Sequence, residues 1–139
     1  MKNLGIILGL VLTSVLTGYA QEKKGVNVTV TIENVLSNEG QIIGSLHTAD
    51  TFMKGAGIQN QSVDATTGEV TLTFSDVEPG TFALMLMHDA NGNQRMDFEP
   101  TGMPKESYAT TGEMTFGPPS FDGSKFEVAD TDLEFRIRF

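Results

Sequence analysis

Between Val26 and Val35 the chain reads VNVTVTIENV, and the character of its side chains changes at every step. Val26, Val28, Val30 and Ile32 fall on one side of an extended backbone, and Asn27, Thr29, Thr31 and Glu33 on the other. Successive side chains of a strand point to opposite faces, so this spacing of β-branched residues specifies a strand with one dry face and one wet face. A strand of that kind must lie against a second apolar surface. The same pattern returns in Val70, Leu72 and Phe74, and at the C-terminus in Leu133, Phe135, Ile137 and Phe139, between which Glu134, Arg136 and Arg138 face solvent. No segment carries a helical period over ten or more residues.

Turn chemistry punctuates these strands. Ser37 to Gly40 is followed by a returning strand, Gln41 to Thr48, while Thr66-Thr67-Gly68 suggests a hairpin joining residues 61–65 to 69–74. Thr81 to Asp89, TFALMLMHD, is apolar on both faces, as expected of a central strand. Short strands with frequent turns specify an all-β fold, a single antiparallel β-sandwich of immunoglobulin-like or transthyretin-like kind. From Ala90 to Lys125 the chain is rich in Gly, Pro, Asn and Asp and has little strand pattern. A loop that long in a compact domain is functional or pinned. The final apolar row also resembles the closing strand of an outer-membrane barrel, but only the first and last strands approach the length and pattern that a barrel repeats eight times or more.

The N-terminus sets a domain boundary. Lys2, the apolar run Leu4 to Leu16, and small residues at Gly18 and Ala20 form a signal-peptide pattern, with cleavage expected after Ala20. The expected domains are residues 1–20, a signal peptide, and residues 21–139, the β-sandwich. The apolar run is too short for a comfortable membrane span, so no span is expected after its removal. The whole chain carries a net charge of −9, made more negative when Lys2 is lost with the signal. That excludes nucleic acid as a natural partner, because its phosphates are neutralised by Lys and Arg, and it argues against an anionic membrane surface. With no cysteine, stability after export depends on packing or on a metal.

The long loop opens with HDANGNQRMDFEP, residues 88–100. Asp89, Asn91, Asn93 and Asp97 stand at positions 1, 3, 5 and 9 of a calcium-loop register, with Arg95 placed to offer its backbone carbonyl. Ca2+ takes six to eight hard oxygens, and alternate residues of a tight loop converge on one ion. This is no EF-hand: its sixth position is Gln94 where Gly belongs, its twelfth is Pro100, and the flanks are not helical. Glu99, close to the twelfth position, is the candidate for the missing carboxylate. Asn91-Gly92 is equally a strong hairpin-turn signal, so a metal-free turn is the competing expectation. His47 and His88 both sit near strand ends and become neighbours only if their strands pair suitably; no zinc-ligand spacing supports them. Nucleophile elbows and phosphate-cradling glycine loops are absent.

Three separated stretches then occur in order: PGTFALMLMHDANGNQRMD, GMPKESYA and FGPPSF. Together they resemble the bacterial family catalogued as domain of unknown function 2141. In the first, His88, Asp89, Asn91, Asn93 and Asp97 match the family pattern, with Phe82 replacing the usual Tyr; in the second, Gly102, Pro104, Glu106 and Tyr108 match; in the third, Phe116, Gly117, Pro118, Pro119 and Phe121. The resemblance implies a small exported β-rich protein and carries no activity with it. By their chemistry, Pro104, Pro118 and Pro119 stiffen the loop, the Pro118-Pro119 bond is a candidate cis peptide, and Phe116 and Phe121 are placed to pack the loop onto the sandwich. Alternatively they line a ligand pocket with Tyr108.

The function expected is that of an exported binding or structural module, periplasmic or at the cell surface, with Ca2+ in the 89–97 loop. Its partner would be an exported protein or a glycan, neither named by the residues. The alternative is a carbohydrate- or peptide-directed enzyme using loop carboxylates, with Glu99, Glu106 and His88 gathered in one pocket.

Overall fold

The computed structural model describes residues 25–139; the expected signal segment and its cleavage point lie outside the described residues. Two sheets pack face to face as a β-sandwich. Strand β1 (Val26–Val35) lies between β4 (Gly68–Val77) and β8 (Leu133–Ile137) in one sheet. The other sheet runs β3 (Gln59–Asp64), β2 (Gln41–His47), β5 (Gly80–Asp89), β6 (Tyr108–Thr110), and β7 (Phe126–Val128) also pairs with β5. The pairings are antiparallel except that of β1 with β8, which is parallel.

The alternation in β1 does what its spacing requires. Val26, Val28, Val30 and Ile32 are buried, and Val70, Leu72 and Phe74 of β4 join them in the core. From the opposite sheet come Ile42 and Leu46 of β2 and Phe82, Leu84 and Leu86 of β5. Leu133, Phe135, Ile137 and Phe139 pack against this core from the edge. Gly44 lies between Ile42 and Leu46 on the inward face of β2. A Cβ there would stand 2.9 Å from Leu72 Cδ1 and 3.2 Å from both Leu86 Cδ2 and Phe74 Cζ. The missing side chain is therefore what lets the Phe74 ring reach the facing sheet.

Two hairpins expected from the sequence are sheet crossings instead. β3 pairs with β2 and not with β4, and β2 pairs with β3 and β5 and not with β1. Both turns carry the chain from one sheet to the other. Asn38 joins them: its Oδ1 accepts from Thr67 N–H at 2.7 Å, and Ala65 N–H donates to Gly40 O at 3.1 Å. Local turn chemistry cannot distinguish a reversal within a sheet from a step between sheets.

β5 is central, as its apolar composition demands, but its outward face lacks a complete cover: Met85 and Met87 are only half-buried. The long irregular stretch is also more ordered than its composition suggests. It contains β6 and the helical turn α1 (Phe121–Ser124). The buried Thr111 hydroxyl closes its second half, donating to Ser124 O at 2.6 Å and accepting from Leu84 N–H at 3.0 Å. No helix among the described residues is long and apolar enough to cross a membrane.

His47, at the end of β2, is buried beside Phe52, with Nδ1 3.1 Å from Thr51 Oγ1. Burial holds its pKa below the ordinary 6.5, partly opposed by its bond to Thr51. The unfolded chain therefore takes up a proton at this residue before the folded chain does. Stability at this position is full above pH 6.5, falls as the pH drops through it, and levels off below the lowered folded value. Chemical denaturation between pH 8 and pH 5 is expected to show this fall in the wild type, and His47→Gln is expected to remove it; an equal fall in both proteins would assign the effect elsewhere.

Candidate functional site

Alternation along β5 puts Asp89 on the same outward face as Met85 and Met87, yet Asp89 is 0% exposed because the following loop folds over it. The carboxylate gathers the loop's backbone. Its Oδ1 accepts from Asn93 N–H at 3.2 Å and its Oδ2 from Gln94 N–H at 2.8 Å. Its cross-strand neighbour Gln41 adds an Nε2 contact at 3.4 Å. Closing the chain around one side chain needs left-handed backbone, supplied by Gly92 at φ 71° and Gln94 at φ 61°. The sixth position of a calcium loop calls for Gly because of its sharp turn. Gln94 adopts a left-handed conformation there without being Gly, at a cost of about 1 kcal/mol.

The other oxygen-bearing side chains converge on Asp97. Asn91 Nδ2 donates to Asp97 Oδ2 at 2.7 Å, and Asn93 Nδ2 to Oδ1 and Oδ2 at 3.0 and 2.8 Å. Asn91 Oδ1 shares the Asn93 N–H with Asp89, and Asn93 Oδ1 accepts from Arg95 N–H at 3.0 Å. The hydrogen bonds from Asn91, then from Asn93, hold the Asp97 carboxyl below its ordinary range, against some desolvation and with smaller help from Glu106 and Arg95. Asp89, Asn91, Asn93 and Asp97 thus form one hydrogen-bonded group. Arg95 joins it through its N–H while its side chain is exposed.

Glu106, rather than Glu99, is the further carboxylate. A turn at residues 99–102 folds the chain back, with Glu99 N–H bonded to Met103 O at 2.7 Å and Lys105 N–H to Asp97 O at 2.8 Å. This brings Glu106 Oε2 to 2.7 Å from the Asp97 N–H. Glu106 Oε1 is buried with no hydrogen-bond partner. Glu99 faces solvent. Glu106 had a signal in the second family motif, but its nearness to Asp97 depends on the turn between them. The loop's base is closed by His88 N–H on Ser107 O at 2.9 Å, next to the β5–β6 pairing.

The remaining candidates separate. β2 and β5 do pair, but His88 stands opposite Ile42 and His47 opposite Ala83, about 17 Å apart at normal strand rise. His88 places Nε2 2.8 Å from Glu39 O and stacks on Phe139. None of His88, Glu99 and Glu106 lines the cavities of about 620 and 430 Å³ on the outward face of the β2–β5 sheet. Phe121 packs against Phe52 as a loop anchor should, whereas Phe116 is fully exposed and anchors nothing. No cis peptide occurs among the described residues, so the bond between Pro118 and Pro119 is trans. Tyr108 lines surface cavities.

Among the described residues no three His, Cys, Asp or Glu side chains form a metal-holding group by themselves. Any cation held here would depend on Asn and backbone oxygens as well as carboxylates. That donor set suits a hard ion and offers nothing to a metal that prefers sulfur or imidazole.

A family model described as an uncharacterized protein conserved in bacteria, domain of unknown function 2141, matches residues 30–136. No curated protein and no solved structure matches the chain.

Gly40 is where the first sheet crossing touches this site. At φ 67°, its Cβ would lie 2.0 Å from Asp89 O and 2.8 Å from Ala90 Cα. Gly40→Ala is expected to cost about 3 kcal/mol in urea denaturation, combining left-handed strain with a backbone collision. Gly68→Ala, at φ 103° with nothing within 4 Å, is the control and carries the conformational cost alone. Equal losses in the two variants would show that the contact at Asp89 does not matter.

Proposed function

The chain belongs to the bacterial family domain of unknown function 2141, and we propose that it acts as an exported β-sandwich binding or structural module whose 89–97 loop is clamped by Ca2+. The observation that carries the cation is Glu106 Oε1, a buried carboxylate oxygen without a donor beside a group that already holds Asp89 and Asp97. A charged oxygen is costly to bury unless it is hydrogen-bonded, paired or bound to a metal. None of the ion pairs found among the described residues involves Asp89, Asp97 or Glu106. A divalent ion would supply the missing positive charge.

The residues suit such an ion. Asp89, Asn91, Asn93 and Asp97 by side chain, Arg95 by its carbonyl, and Glu106 would reach the oxygen number that Ca2+ takes. The Asn91 and Asn93 amides now turn their NH2 groups toward Asp97. Each amide has a carbonyl oxygen to offer in exchange. The left-handed Gln94 gives the loop the sharp bend expected at its sixth position. Export to the periplasm or cell surface rests on the leader pattern of residues 1–20.

Calorimetric titration of the purified protein with Ca2+ is expected to give one site with a Kd on the order of 10⁻⁴–10⁻³ M, the range of extracellular modules. At ten times Kd the ion adds about 1.4 kcal/mol, raising the melting temperature by about 5 °C. Asp89→Ala should abolish the rise. Glu106→Gln, which preserves shape and removes one charge, should weaken binding without unfolding the protein. A melting curve unchanged by Ca2+ and by chelation would overturn the cation reading.

A further inference from the structure

The outward face of the β2–β5 sheet is hollow. Beside the calcium-loop candidate lies a cavity of about 430 Å³ walled by Met53, Met85, Met96, Phe98, Met103 and Tyr108, with Pro104 and the Gly117–Pro119 segment completing it. Met85, Met96 and Tyr108 also line a second, adjoining hollow of about 620 Å³, whose other walls mix apolar residues with His47 and with the neutral polar side chains of Gln41, Ser45, Asn60, Gln61 and Ser62. Five of the six methionines beyond Met1 line these two hollows. Met53, Phe98 and Met103 are each more than half exposed at the rim. Fully exposed Phe116 precedes Gly117 and extends the apolar edge.

Two features identify what such a surface accepts. Asp, Glu, Lys and Arg make up 19% of the chain, yet none of them lines either hollow. An ionised ligand would find no countercharge in these walls, whereas an uncharged one would lose no ionic solvation on entering. The volume of the apolar hollow lies in the range that encloses drug-sized molecules, about 300–1,000 Å³. Methionine suits the task because its flexible, polarisable thioether shapes itself to varied apolar partners. Tyr108 adds a ring with a hydroxyl that can meet a neutral polar group.

We propose that this groove is a binding site for a small uncharged amphipathic molecule, with its apolar body against the methionines and a neutral hydrogen-bonding end over the amide and hydroxyl side chains of β2 and β3. The inference deepens the binding-module reading by naming the site and ligand class. Met96, Phe98, Met103 and Pro104 all belong to the stretch that Asp89, Asp97 and Glu106 organise. Ordering that stretch orders one wall of the groove.

The test uses N-phenyl-1-naphthylamine, a neutral aromatic probe, and its sulfonated analogue 8-anilinonaphthalene-1-sulfonate, with the purified chain in Ca2+ and in chelator. The expected result is saturable one-to-one binding of the neutral probe, at least about tenfold tighter than that of the anion. Met53→Glu and Met103→Glu, both at exposed positions that should not threaten folding, are each expected to weaken the neutral probe about tenfold. Leu36→Glu, exposed and outside the cavity lining, should leave binding unchanged. The proposal is overturned if the neutral probe fails to saturate, if Leu36→Glu weakens it as much as the methionine variants do, or if sedimentation shows the methionine variants abolishing a dimer that covers the groove. Saturable binding in both solutions, with no Ca2+ effect on melting, would sustain the groove and remove the cation. A Ca2+-dependent melting rise without probe binding would do the reverse.

Discussion

A carboxylate removed from water at the end of the most apolar strand is the interaction on which the irregular part of this protein depends. Asp89 is wholly buried, and its two oxygens take the N–H groups of Gln94 and Asn93, the latter shared with Asn91 Oδ1, inside a tight loop. Hydrogen bonds to a charged group contribute about 1.5–3 kcal/mol each, about twice a neutral pair. That is enough to hold Gln94 in a left-handed conformation. From that bend follows the convergence of Asn91 and Asn93 on Asp97, beside which the turn at 99–102 sets Glu106.

The sandwich supplies the platform. Gly44 lets the sheets close around Phe74, and the inward residues of β1, β4, β2 and β5 make one continuous core. The outward face of β5 is only partly covered, by chain emerging from its own end. Residues 90–107 leave β5 and return to it as β6, so the loop begins and ends at neighbouring points on one sheet. A polar cluster and an apolar groove consequently share a wall. The candidate cation site and the candidate ligand site are two sides of one excursion, which gives a physical route by which either occupant would stabilise the other.

The strands are legible because a two-residue period leaves little choice: the alternation from Val26 to Val35 coincides with β1, and the apolar row Leu133, Phe135, Ile137 and Phe139 is the one that packs against the core. Connectivity was not legible at Ser37–Gly40 or Thr66–Gly68. The same turn residues serve a hairpin and a step between sheets, and the Asn38–Thr67 contact that distinguishes them joins residues far apart in sequence. In the loop, the spacing of Asp89, Asn91, Asn93 and Asp97 announced a group that the fold does assemble. Glu99 was the nearest carboxylate in sequence but faces water, because the turn at 99–102 presents Glu106 in its place. Phe116 read as an anchor by its aromatic character, and only its full exposure shows otherwise. The groove left almost no trace, since its methionines come from β2–β3 and 89–106 connections and from β5, with no common spacing.

Native-state hydrogen exchange at the Asn93 and Gln94 amides addresses the organising role of Asp89 most directly. Both should be protected well beyond exposed loop amides in the wild type. In Asp89→Ala, which removes both acceptor oxygens, that protection should be lost, most completely at Gln94, while the amides of β1 and β4 remain slow. Amides at Asn93 and Gln94 that exchange freely in the wild type, or that stay equally protected in the variant, would contradict the claim that this carboxylate organises the loop.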